Sequence, residues 1–198
     1  MSRSAHLLGL GQEDPPLIHD AGAGVRAARG DSLVDDGEDV ALMRSELPGV
    51  SDEKWTAYVR QMISAPLISV SASNGLGMFE LMPRRLADLG LVTCLQRSKS
   101  EPVEGQKSRT IWVAVFVPPM TPERFLRNPR KQTEAFGLSM RDYDAKMRLG
   151  LIRRDPGMSR SGALAILHRA GPNGLDTWRT HERFPATKQV FEKVAGLF

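Results

Sequence analysis

Two glycines two positions apart, Gly75 and Gly77, open the stretch that most restricts how this chain folds. The run Ser73–Gly90 reads Ser-Asn-Gly-Leu-Gly-Met-Phe-Glu-Leu-Met-Pro-Arg-Arg-Leu-Ala-Asp-Leu-Gly. Glycine at both places lets one backbone approach another with no Cβ between them. Pro83 stands where a helix begins without losing a needed hydrogen bond. Leu86 and Leu89 continue its apolar face, and Gly90 is placed to end it. Glu80 is the one carboxylate among the large apolar side chains that follow the glycines. Such a setting disfavours the charged form and raises a carboxyl pKa. The alternative is a helix glutamate that points to solvent.

The rest of the chain divides around this stretch. Residues 1–54 hold 11 acidic and 5 basic side chains, a balance of −6, and residues 55–198 hold 12 and 22, a balance of +10. Residues 1–40 are rich in Gly, Asp, Ala and Pro and carry no sustained apolar period. They bury too little surface to offset chain entropy, so 1–50 reads as an extended acidic arm that becomes ordered against another surface. Within it, residues 38–46 are a candidate short helix stopped at Pro48-Gly49. The basic body fits polyanionic partners, but it shows no nucleic-acid module or aromatic-interleaved basic patch, and nucleic acid is not an expected partner. No apolar run nears the roughly 18 residues needed to span a bilayer, and no export signal is visible. Cys94 is the single cysteine, which excludes an intrachain disulfide and a cysteine-based zinc site. No metal or cofactor is expected.

The body begins at Ser51, a helix cap followed by Asp52 and Glu53, with Trp55, Val59 and Met62 or Ile63 on one face. Leu91–Arg97 and Arg109–Val117 have strand composition and flank a polar loop, which predicts a hairpin in which Cys94 and Trp112 pack. Thr121-Pro122-Glu123 and Asn128-Pro129 are helix starts. The second opens a long helix with a buried stripe of Phe136, Met140, Tyr143 and Met147, ended by Gly150. Ser159 caps a last apolar helix through Leu167, stopped at Ala170-Gly171-Pro172.

Two of these segments resemble one family. Ser73, Gly75, Gly77, Leu81, Met82 and Pro83 are similar to the glycine-rich Gly-Leu-Met-Gln-Leu-Met-Pro-like segment of lytic transglycosylases and goose-type lysozymes, with Glu80 in the glutamine slot. Ala163-Leu164-Ala165, Ala170-Gly171-Pro172, Trp178, Pro185, Thr187 and Val194 resemble their C-terminal motif, with His168 and Arg169 in the tyrosine and asparagine slots. Phe125–Gln132 also resembles a segment of phage-borne muramidases. The resemblance covers roughly residues 51–198 and implies a mainly α, lysozyme-like domain with one β-hairpin beside a sugar cleft lined by Ser73, Phe79 and His168.

In that family a single protonated glutamate delivers a proton to the scissile oxygen, assisted by the substrate's N-acetyl group. Counting back from Ser73, its slot falls on Ile63 and Ser64, and no carboxylate lies between Lys54 and Phe79. Glu80 is then the candidate catalytic residue, with His168 as a polar partner or a hydrogen-bonded helix histidine, and Arg169 as a substrate ligand or a helix-end cation. Two functions remain open. One is a virion protein of a bacteriophage tail tip or baseplate, structural or docked on peptidoglycan glycan strands, with weak or no activity. The other is an active peptidoglycan-cleaving muramidase. Either reading places the protein in a virion, with the arm contacting other tail proteins.

Overall fold

The computed structural model describes residues 42–71, 74–99, 110–178 and 185–198. All lie in one compact unit, Val40–Phe198. The described chain is mainly helical with one two-stranded sheet. In order it forms α1 (Asp52–Met62), α2 (Pro83–Asp88), β1 (Val92–Lys99), β2 (Thr110–Phe116), α3 (Pro122–Leu126), α4 (Pro129–Arg148), α5 (Arg160–Ala170), α6 (Pro172–Asp176) and α7 (Pro185–Val194). The helix starts follow from local chemistry. Ser51, Thr121, Asn128 and Ser159 each accept a hydrogen bond from the backbone amide three residues on, at Lys54, Arg124, Lys131 and Gly162. Each such cap contributes about 1 kcal/mol by satisfying a first-turn amide.

The core is organised on α4. Phe136 and Met140 are fully buried, and Tyr143 nearly so. The Phe136 ring stacks on Phe79 at 4.3 Å and lies 6.2 Å from both Trp55 and Tyr58 of α1. Met62 takes the last inward position of α1, while Ile63 stays largely exposed at its C-cap. The end of the chain closes this core. α7 packs on α5 and α1, the Ser161 hydroxyl donates to the Val194 carbonyl at 2.7 Å, and the Phe198 ring meets Tyr58 edge-on.

β1 and β2 pair antiparallel from Val92↔Phe116 to Lys99↔Thr110, with a bulge between Val92 and Cys94, and both rest on α2. Two local expectations are corrected. Trp112 does not pack into the core: it keeps 43% of its surface exposed, while its carbonyl accepts from Asn74 Nδ2. The side chain of Cys94 lies outside the described residues. The helix expected over 38–46 is not formed in its described part, 42–46. Asp52 Oδ1 and Thr56 Oγ1 accept the amides of Ser45 and Met43, so α1 side chains take up donors that a helix would use. Contact with the body begins before Ser51, since Leu47 and Val50 are buried in it. Residues 1–41, most of the expected arm, lie outside the described residues. Among the described residues no helix is long and apolar enough to cross a membrane.

Candidate functional site

The glycine-rich stretch folds into a tight double reversal. Leu76 and Leu81 exchange both backbone hydrogen bonds at 3.0 Å, and Gly77 N donates to the Ser69 carbonyl. Gly77 and Glu80 both take left-handed backbone angles, φ 70° and 49°. A Cβ on Gly75 would come within 2.7 Å of the Glu80 carbonyl, so the close approach expected from the two glycines is realised. A glutamate in the left-handed region costs about 1 kcal/mol, a strain that persists only where surrounding contacts impose it.

Those contacts come from three sides. The amides of Ser64 and Ala65, just past α1, both donate to the Met78 carbonyl. Met78 N donates to Gln132 Oε1 at 2.7 Å, and Gln132 Nε2 donates to the carbonyls of Leu67, Phe125 and Leu126. This fully buried glutamine on α4 fastens the turn to the end of α3. The third side is α5, where His168 Nε2 lies 2.7 Å from the Phe79 carbonyl. Because a carbonyl only accepts, Nε2 carries the proton and donates it.

A cleft of about 1000 Å³ runs between this turn with α2 on one side and the α5–α6 junction on the other. Its floor holds Leu81, Leu167, Tyr143 and Arg85. Arg85 is held on every side: Nε and Nη2 donate to the Ser139 hydroxyl and carbonyl, Nη1 pairs with Asp142 at 2.8 Å, and the guanidinium lies 3.9 Å over the Tyr143 ring. It anchors α2 to α4. The exposed rim carries Arg84 and Asp88 from α2 and Asn173 from α6.

The two resembling segments thus face each other, and the site residues read from sequence other than Ser73 can be placed. Glu80 is not isolated among apolar side chains. Its Oε2 accepts from Arg169 Nη1 at 2.5 Å and from Ser64 Oγ at 3.1 Å, while Arg169 Nη1 also reaches Ser64 Oγ at 3.3 Å. The physical reason lies in the turn, which aims the Glu80 side chain back toward the end of α1 and α5. His168 does not partner the Glu80 carboxylate, because its one described hydrogen bond goes to Phe79. The Phe79 ring is sealed under Phe136 and presents no face to a ligand. Ser73 lies outside the described residues. Sequence reasoning missed Arg84, Asp88 and Asn173. The signal was present for the first two, since an i, i+4 pair opposite Leu86 on a helix starting at Pro83 must share one exposed face.

His168 also carries a pH dependence. Burial of its ring, packed edge-on against Phe136 at 5.0 Å, pushes its pKa down to about 4. The Phe79 hydrogen bond and the Glu80 charge oppose that shift, and the Arg169 charge adds to it. The exposed imidazole of the unfolded chain titrates near 6.5, so on acidification the unfolded state takes up the proton first. The associated stability is complete above about pH 6.5, is lost between 6.5 and 4, and changes no further below, a loss of about 2 kcal/mol after allowing for the partly open site. Urea unfolding of the parent and of His168→Gln at pH 7 and pH 4.5 checks this. The variant is expected to lose less stability on acidification, and equal losses would sink the assignment.

No protein-family model, curated protein or solved structure matches this chain.

Proposed function

We propose that this chain is a lysozyme-like domain of a bacteriophage virion, at the tail tip or baseplate, that docks on peptidoglycan glycan strands and cleaves them weakly or not at all. The observation that carries the reading is the state of the cleft's acid. A general acid must hold a proton on an oxygen aimed at the scissile bond. Glu80 Oε2 instead receives a guanidinium and a hydroxyl, and Ile63 and Ser64 fill the slot where the family's glutamate is expected. The juxtaposition of the two resembling segments across one cleft supports the lysozyme-like reading. Similarity of Phe125–Gln132 to phage muramidases supports the virion setting, where the particle itself carries the domain to the cell wall.

The test is incubation with purified sacculi, with muropeptide release followed by mass spectrometry and binding by co-sedimentation. Co-sedimentation with little or no release is expected. One observation favours the active alternative: Ser64 Oγ lies 3.1 Å from Glu80 Oε2, so a carboxylate does reach the end of α1 from a different position in the chain. Turnover abolished by Glu80→Gln would establish that alternative and reject the docking reading. Turnover unchanged by it would reject Glu80 as the acid.

A further inference from the structure

We propose that the cleft recognises a carboxylate on its ligand, with Arg169 as the receiving group and Glu80 as an internal carboxylate that sits against it when the cleft is empty. The proposal rests on the docking reading above for the glycan that bears this group, and on the guanidinium geometry for the group itself.

Arg169 uses one nitrogen. Both of its described hydrogen bonds, to Glu80 and Ser64, come from Nη1. Nε and Nη2, whose N–H bonds run parallel and take a carboxylate with two hydrogen bonds, have no partner among the described residues. They are not buried either. Among the described residues the one buried side-chain nitrogen or oxygen without a partner is Arg160 Nη2. Arg169 lines the cleft with 22% of its side chain exposed, so this unused edge is reached from the cleft. Its position is fixed from behind by Ser64 and Glu80, which limits the side-chain entropy lost on binding.

A second cation and a neutral donor stand on the rim. Arg84 of α2 makes no ion pair or hydrogen bond among the described residues, and Asn173 of α6 lines the cleft beyond Arg169. Glu80 offsets part of the Arg169 charge and competes with an incoming carboxylate for Nη1. It leaves Nε and Nη2 open, where an uncharged sugar gains only ordinary hydrogen bonds and a carboxylate gains a charge-assisted pair. An incoming carboxylate either adds to the free edge or replaces Glu80. In a glycan strand the chemical class that fits is an acidic saccharide, such as one bearing a lactyl ether carboxylate.

The experiment compares two tetrasaccharides by calorimetry with the full chain. One is uncharged, built of N-acetylglucosamine alone. The other is the peptide-free peptidoglycan tetrasaccharide, which adds lactyl carboxylates to the same backbone. The acidic sugar is expected to bind about tenfold tighter, the scale of a charge-assisted pair. Arg169→Gln should remove that preference, and Arg169→Lys, which keeps charge but loses the fork, should remove most of it. Glu80→Gln should tighten acidic-sugar binding severalfold, whereas a purely structural ion pair would weaken it. Circular dichroism of each variant reports folding separately. Equal binding of both sugars, unaffected by Arg169→Gln, overturns the carboxylate site and leaves glycan docking standing. Binding of the acidic sugar alone supports the site and rejects general glycan docking. No binding of either overturns both.

Discussion

Replacing Gly77 by alanine is expected to cost at least about 4 kcal/mol of folding stability. A Cβ there would lie 2.0 Å from Gln132 Oε1 and 2.4 Å from its Cδ, on a backbone at φ +70°. The glutamine has nowhere to go, because its amide group is committed to Met78, Leu67, Phe125 and Leu126. Displacing it leaves buried carbonyls and one amide unpaired, at about 1–3 kcal/mol each before relaxation. Gln132→Ala removes the same bonds without the clash and should cost about 3 kcal/mol. Chemical denaturation of both single variants and of the pair Gly77→Ala/Gln132→Ala checks the linkage. The double loss should fall well short of the sum, since each change breaks the same clamp. A Gly77→Ala protein within 1 kcal/mol of the parent, roughly the scale of an ordinary surface change, would reject it.

The second large effect is predicted at Phe136. Its ring is fully buried and contacts Phe79, Trp55, Tyr58 and His168. Truncation to alanine is expected to cost about 4 kcal/mol, combining lost transfer energy with the cavity left among rigid rings. Phe136→Leu, which keeps most of the volume, should cost less than about 1.5 kcal/mol. Thermal and urea unfolding distinguish the two outcomes. Equal losses would mean that ring geometry, and not filled volume, holds the cluster together.

Much of the scaffold was readable from residue pattern. The four capping residues and the α4 stripe obey rules that act within one or two helical turns, and the hairpin strands shift by only a residue or two from their composition-based limits. What stayed hidden involves polar side chains that tertiary packing turned inward. Gln132, Arg85 and Asp144 are buried on helices whose polar positions default to solvent. Asp144 gathers Arg148 at 3.0 Å and Arg160 at 2.7 Å, an arrangement that depends on how α5 meets α4. The candidate site was half legible. Gly75, Gly77 and Glu80 announced a constrained turn, but the partner of Glu80 lies 89 residues away, beyond any local periodicity. Phe79 misled for the same reason, since an aromatic next to a cleft acid has the composition of a sugar platform and here serves as core.

The packing of α7 against α1 sets how this body assembles. Helical domains usually fold fast because their contacts are between sequence neighbours. Here the edge-on meeting of Phe198 with Tyr58 joins positions 140 residues apart. Loop-closure entropy must be overcome before those last apolar contacts form. The Tyr58–Phe198 contact therefore waits for the far end of the chain, while Trp55 and Tyr58 stack on Phe136 of α4 without it. The face of α1 that meets α7 is accordingly expected to be covered late in folding.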